Sequence, residues 1–114
     1  LNSEVDADVF MYPPEGYPDK DNIYKLKKGL YGLKQASRLW HCDIDKFIKT
    51  NLKCNSSQLD TCLYMRKIRD TFLIILLYVD DIIVISQDSS IVDWVFESLY
   101  DRFKIKRIGA MTTY

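Results

Sequence analysis

The chain has 114 residues, 47% of them hydrophobic, with 16 basic and 16 acidic side chains. That is enough for one modest domain and reads as globular rather than disordered. A formal net charge of zero weighs against a free-standing nucleic-acid-binding domain, which is usually basic.

Residues 1–22 are acidic at first, then rich in proline and glycine through Pro13-Pro14-Glu15-Gly16-Tyr17-Pro18. This is loop chemistry with room for a short strand at Val9–Tyr12. Ile23–Lys27 alternates apolar and basic residues, a weak strand signal. Gly29 and Gly32 bracket a turn. From about Ser37 the period changes. Trp40, Ile44, Phe47 and Ile48 fall on one face of an amphipathic helix over 38–50, which fades near Asn51–Asn55. Thr61–Lys67 and Thr71–Val79 read as strands joined by a tight turn at Arg69-Asp70. Ile82–Ser86 pairs back across a two-residue turn at Val79-Asp80, which implies antiparallel pairing. A last helix spans Ser90–Phe103, with Val92, Val95, Phe96, Leu99 and Phe103 as its apolar stripe and Ser90 with Asp93 resembling a capping box. The pattern is α+β: an antiparallel sheet with helices on one face. Trp40, Phe47 and Phe96 read as core.

Cys42, Cys54 and Cys62 lack the paired spacing of a zinc motif and read as reduced thiols in a cytosolic or nuclear setting. His41 is the single histidine, so a zinc site or a histidine-dependent triad has little material. Phe72–Ile85 is interrupted by Asp80 and Asp81, and neither half reaches the ~20 residues of a spanning helix. No membrane segment is read.

The most informative feature is Tyr78-Val79-Asp80-Asp81, set between the apolar runs Phe72–Leu77 and Ile82–Ile85. Two adjacent carboxylates there need water, a cation or hydrogen bonds to receive them. Hard divalent cations prefer oxygen ligands, and Mg²⁺ is commonly held by one or two carboxylates plus substrate phosphates. The alternative is a polar tip that only turns the chain in solvent, for which Asp is well suited. If Val79 opens a mirror-type turn, it needs a positive φ that a β-branched residue resists. Such strain is found at functional sites.

A set of motifs now reads together. Leu30-Tyr31-Gly32-Leu33-Lys34-Gln35-Ala36-Ser37-Arg38-Leu39-Trp40 resembles the LYGLKQAPRxW signature of copia-type retrotransposon reverse transcriptases. Tyr78-Val79-Asp80-Asp81 resembles that family's active-site hairpin. Met11–Tyr17 is similar to its YMxxPxGF segment, Leu59–Tyr64 to its sDxclY segment and Leu99–Gly109 to its LxxxFxMKDLG stretch. The motifs stand in the family's order and cover nearly the whole chain. Ser37 departs from the family's Pro, Ser3 from its Gly, and Lys106-Arg107-Ile108-Gly109 from its KDLG. The family's other catalytic aspartate lies in a DVxxAFLNG motif, whose last three residues Leu1-Asn2-Ser3 resemble.

The resemblance implies that residues 1–114 are a partial reverse transcriptase domain of the palm and fingers, beginning just after that first aspartate motif, without thumb or RNase H. It implies Asp80 and Asp81 as catalytic metal ligands, with Asp80 the stronger. It also implies Mg²⁺ or Mn²⁺ as cofactor, two ions in the complete parent. Tyr78 is placed near the primer terminus and Val79 against the nascent base pair. Gly32, Lys34, Gln35 and Arg38 are placed near the incoming nucleotide and template. The implied partners are an RNA or DNA template-primer, deoxynucleoside triphosphates and the remainder of the Pol polyprotein. One metal-ligating segment is too few for synthesis, so this chain alone is expected to be inactive. The competing reading is a non-catalytic retroelement remnant, inert or weakly nucleic-acid-binding.

Overall fold

A computed structural model describes residues 7–18, 21–30 and 34–110. The chain divides into two compact units, residues 1–47 and 48–114, with the boundary inside a helix.

In the first unit, β1 (Phe10–Met11) and β2 (Tyr24–Lys25) form a short antiparallel pair. Both strands fall inside the segments that the sequence marks. The connecting loop turns at Pro14, whose carbonyl accepts from Tyr17 N at 3.1 Å, with Gly16 at φ 90°. That positive φ is why glycine stands there. Tyr17 packs edge-on against Tyr24, and Lys25 pairs with Asp8 at 2.6 Å on the surface. An exposed pair of this kind contributes at most ~1 kcal/mol.

Helix α1 (Lys34–Thr50) starts earlier than the apolar period predicts. Lys34, Gln35 and Ala36 carry no apolar stripe, but long straight side chains and alanine are good helix formers. Ala36, Trp40, Ile44 and Ile48 are buried at four-residue intervals. Phe47 is only half-buried, so it is not the core residue expected from its spacing.

In the second unit, a four-stranded antiparallel sheet runs in the order β3-β4-β5-β6. Its strands are β3 (Asn55–Ser56), β4 (Leu63–Ile68), β5 (Thr71–Tyr78) and β6 (Asp81–Ser86). The tight turns fall at Arg69-Asp70 and Val79-Asp80, as the sequence predicts. Alternation along β5 buries Leu73, Ile75 and Leu77 on one face. Register places Tyr64 of β4 and Val84 of β6 beside Ile75 on that face. Each fully buried side chain of this size contributes about 1.5–3 kcal/mol. The other face stays partly open, with Met65, Phe72, Tyr78 and Ile85 exposed.

The loop between β3 and β4 is held by side-chain-to-backbone bonds. Asp60 Oδ1 accepts from Cys62 N at 2.8 Å, and Ser57 Oγ accepts from Leu59 N at 3.2 Å. These are local turns of the kind Asp and Ser favour. Arg66 donates to the Leu52 carbonyl at 2.7 Å, tying β4 to the segment that follows α1.

Helix α2 (Ser89–Phe103) lies against β6 and buries Val95, Leu99 and Phe103. Its cap corrects the expected Ser90–Asp93 box. Asp88 is the N-cap, in extended conformation, and its carboxylate accepts from Ser90 N at 2.9 Å and Ser90 Oγ at 2.6 Å. Asp93 instead receives Arg107 at 2.7 Å. The chain leaves α2 through Lys104 at φ 54°, whose N–H donates to the Tyr100 carbonyl. It then folds back, so that the Arg107 guanidinium stands 4.8 Å from the Phe96 ring centre. Phe96 is thus half-buried under an arginine rather than part of the core. The α+β class holds, with antiparallel sheets and two helices. Among the described residues, no helix is long and apolar enough to cross a membrane.

Candidate functional site

The hairpin of β5 and β6 carries the candidate site. Six residue pairs zip the two strands together, from Leu73 with Ser86 to Tyr78 with Asp81. The apolar ladder sets the register, because a one-residue slip would turn Leu73, Ile75 and Leu77 out of the core. It thereby fixes Val79 and Asp80 as the two central residues of the turn.

Val79 stands at φ 55° and is 69% exposed. Left-handed backbone costs roughly 1–2 kcal/mol for an L-residue. No burial at this position compensates it. The expectation of a positive φ here is met. Asp80 and Asp81 are both exposed, and Tyr78 is 71% exposed. Asp81 pairs with Tyr78 across the ladder, so both side chains lie on the sheet's open face. The four residues of the tip are therefore adjacent and accessible.

The donor chemistry fits a hard divalent cation, since carboxylate oxygens are its preferred ligands. The donor number does not suffice. Among the described residues, no group of three or more His, Cys, Asp or Glu side chains is arranged to hold a metal ion. Asp80 and Asp81 are the two carboxylates that this turn offers.

The other expected site residues fare differently. Arg38 is exposed on α1 and belongs to the first compact unit. Lys34 and Gln35 begin α1. Gly32 lies outside the described residues, as does half of the turn expected between it and Gly29. The structure thus brings together Tyr78, Val79, Asp80 and Asp81 at one turn of the second unit.

Two interactions escaped sequence reasoning. Arg107 replaces the acidic residue of the KDLG pattern, and here it grips Asp93 and Phe96. A carboxylate at that position would face Asp93 with like charge. Arg66, which sequence patterning does not single out, anchors a backbone carbonyl. Neither has a local signal, because each joins positions 14 residues apart.

None of the three cysteines forms a disulfide: Cys42 is exposed, Cys62 half-buried and Cys54 buried. Burial pushes the Cys54 thiol above its ordinary value, and the nearby Arg66 charge offsets this in part. A raised pKa marks an inert packing thiol rather than a nucleophile.

Comparison with known proteins gives the class of protein that carries this hairpin. The family model for reverse transcriptase (RNA-dependent DNA polymerase) matches residues 1–114. The chain is 36% identical to the Retrovirus-related Pol polyprotein from transposon TNT 1-94 of Nicotiana tabacum, over 96% of this chain and 8% of that protein. It is 35% identical to the corresponding polyprotein from transposon RE1 of Arabidopsis thaliana, over 93% of this chain and 7% of that protein. It is 31% identical to the putative transposon Ty5-1 protein YCL074W of Saccharomyces cerevisiae, over the whole chain and 38% of that protein. No solved structure matches.

The chain belongs to the reverse transcriptase family and is a piece of the kind found in copia-type Pol polyproteins. It spans less than a tenth of the plant relatives' length. Family membership implies a divalent metal in the complete parent enzyme.

Proposed function

We propose that this chain is the part of a copia-type RNA-directed DNA polymerase that presents the active-site hairpin, forming a partial palm-and-fingers domain over residues 1–114. The parent would extend a primer on an RNA or DNA template with deoxynucleoside triphosphates. The observation that carries this reading is the Tyr78–Asp81 tip: two exposed carboxylates follow a β-branched residue held at φ 55°. The valine is β-branched and mostly exposed there, and backbone strain of this kind clusters at functional sites.

In the parent, Asp80 and Asp81 would ligate Mg²⁺ or Mn²⁺ together with carboxylate from another segment. Two such ions would offset the charge of the nucleotide's phosphates and of the attacking 3′-hydroxyl. The protein's own contribution is placement. The β5–β6 ladder holds both carboxylates at one end of a rigid strand pair, which positions a site better than a free loop does. Tyr78, on the same face as Asp81, would bear on the primer terminus, and Val79 on the nascent base pair. Gly32, Lys34, Gln35 and Arg38 would meet the nucleotide and template. The remainder of the Pol polyprotein supplies what the 114 residues lack, so the chain alone is predicted to be inactive.

Primer extension by the complete parent tests this. Asp80→Asn replaces a two-oxygen ligand by one oxygen and an amide donor, without leaving a cavity. Synthesis should fall to background while the circular dichroism spectrum stays unchanged. Full activity in Asp80→Asn, or robust Asp80-dependent synthesis by the 114-residue chain alone, would overturn the assignment.

A further inference from the structure

The segment Leu59–Tyr64 leads into β4 and has no part in the site described so far. Its geometry gives it one. The β4–β5 register ends at Leu63 with Leu76, and the next residues along it are Cys62 and Leu77. Counted alternately from the closing pair Ile68 and Thr71, Cys62 and Leu77 fall at a hydrogen-bonded position. Leu77 N donates to the Cys62 carbonyl at 2.9 Å. The Cys62 N–H in turn donates to Asp60 Oδ1 at 2.8 Å. The Asp60 carbonyl accepts from Leu63 N at 3.1 Å, which closes a turn over residues 60–63.

Two hydrogen bonds in series thus run from the Asp60 carboxylate to Leu77, the residue before Tyr78. On the other side of β5, Tyr78 is paired with Asp81 of β6. The tip is therefore held from both flanks, by β6 at Tyr78 and by the start of β4 at Leu77. The second hold matters because a two-stranded ribbon twists more than a wider sheet does. With the Cys62 bond in place, the sheet stays three strands wide to within one residue of the tip. Without it, the last residues of β5 and the first of β6 become a ribbon, and Asp80 and Asp81 swing with its twist.

We infer that Asp60 is a positioning residue for the carboxylates of the hairpin, acting through the Cys62 peptide and Leu77. The inference rests on the polymerase reading of the tip. Asp60 touches no reactant in this scheme. Its work is to keep the Cys62 carbonyl facing Leu77, and a carboxylate suits it because a charge-assisted bond to a backbone N–H is stronger than a neutral one. Leu77 adds a buried side chain to the same strand end, so a shift there is felt in the core as well as at the tip. Ser57 provides the contrast within the loop. Its Oγ accepts from Leu59 N at 3.2 Å, a turn bond that does not reach Cys62.

Primer extension by the complete parent, with kcat and KM for the nucleotide measured separately, tests this alongside amide hydrogen exchange. Asp60→Ala should lower kcat roughly tenfold at nearly constant KM, since displaced catalytic groups cost the transition state more than binding. Asp60→Asn keeps an oxygen acceptor for Cys62 N and should recover most of that loss. Ser57→Ala should leave kcat as it was. Exchange at the Leu77 amide should quicken about tenfold in Asp60→Ala, as expected for losing one such bond. Exchange at Leu73, further along β5, should not change. An unchanged kcat in Asp60→Ala overturns the proposal. So does an equal loss in Ser57→Ala, which would mean loop stability alone, or an Asp60→Asn as dead as Asp80→Asn, which would make Asp60 a ligand. If the unsubstituted parent makes no DNA, the polymerase reading falls instead, and the Leu77 exchange still decides whether Asp60 holds the strand end.

Discussion

Two turns of the same length close the two ends of β5, and the first residue of each has nearly the same φ. Arg69-Asp70 joins β4 to β5 with Arg69 at φ 54°. Val79-Asp80 joins β5 to β6 with Val79 at φ 55°. Each puts an L-residue in the left-handed region first and an aspartate second. The side chains diverge. Arginine is unbranched at Cβ, and its charge lies near Asp88, whose ionised form it favours. Valine has two methyl groups on Cβ, which the left-handed region tolerates worst. The first turn gains an electrostatic neighbour at the end of the sheet where α2 is capped. The second turn carries a greater backbone cost and presents two carboxylates to solvent. A like φ at unlike cost sets the turn proposed as a site apart from the other.

The largest expected effect concerns what both turns hang from. Ile75 is fully buried at the middle of β5 and is paired with Tyr64 on one side and Val84 on the other. Ile75→Ala should cost about 2–5 kcal/mol, the usual range for such a core truncation. Urea melts followed at both tips should shift to the same lower midpoint. A midpoint that moved at the Arg69 end alone would show that the hairpins melt separately, and the comparison would then concern two independent ribbons.

Next comes the direct test of the turns. Glycine relieves left-handed strain of roughly 1–2 kcal/mol but loses about 0.5–1 kcal/mol through its freer unfolded state. With the relief at its upper end of ~2 kcal/mol because of the β-branch, Val79→Gly should therefore stabilise the chain by about 1–1.5 kcal/mol. Arg69→Gly should sit near zero by the same balance. In the complete parent, the stabilised Val79→Gly should synthesise DNA less well, if Val79 bears on the nascent base pair as proposed. If the two glycine variants changed stability equally, the argument that the Val79 turn is the costlier one would fail.

How much of this was legible beforehand follows from the range of the forces involved. The β4–β5–β6 meander could be read because alternation and two-residue spacing are local, and with it the positive φ at Val79. The family signature was legible as a string from Leu30 to Trp40, yet a string does not place Arg38 relative to Asp80. β3 was illegible because Asn55 and Ser56 have no strand character of their own; they are a strand only because Met65 and Tyr64 pair with them. The cap of α2 was misread because Asp88, Ser90 and Asp93 all suit a helix start. Extended backbone at Asp88 decides among them. Phe96 was misread because a helical stripe predicts which face is apolar. It does not predict that Arg107 returns to cover one member.

The smallest effect would show whether the Arg69 end is an electrostatic arrangement or only a turn with a charge on it. Asp88 is held below the ordinary carboxylate range, first by the Ser90 hydroxyl and then by the Ser90 N–H. Arg69 contributes less, behind both. The sign follows from linkage. A depressed folded-state pKa gives stability that is present above the unfolded value and is lost as pH falls through the folded one. The cap of α2 should therefore hold at neutral pH and release only in acid below the usual carboxylate range. Carboxyl chemical shifts of Asp88 across an acid titration can be followed in three chains. Ser90→Ala should raise the midpoint most, because it removes the 2.6 Å hydroxyl bond and leaves the N–H bond in place. Arg69→Gln should raise it less, and added salt should mask the difference, since the charges are exposed and screened. A larger shift in Arg69→Gln than in Ser90→Ala would make charge, not hydrogen bonding, the main hold on Asp88. Arg69 would then be kept at φ 54° for that neighbour, and its turn would resemble the Val79 turn in carrying backbone strain for the sake of a side chain.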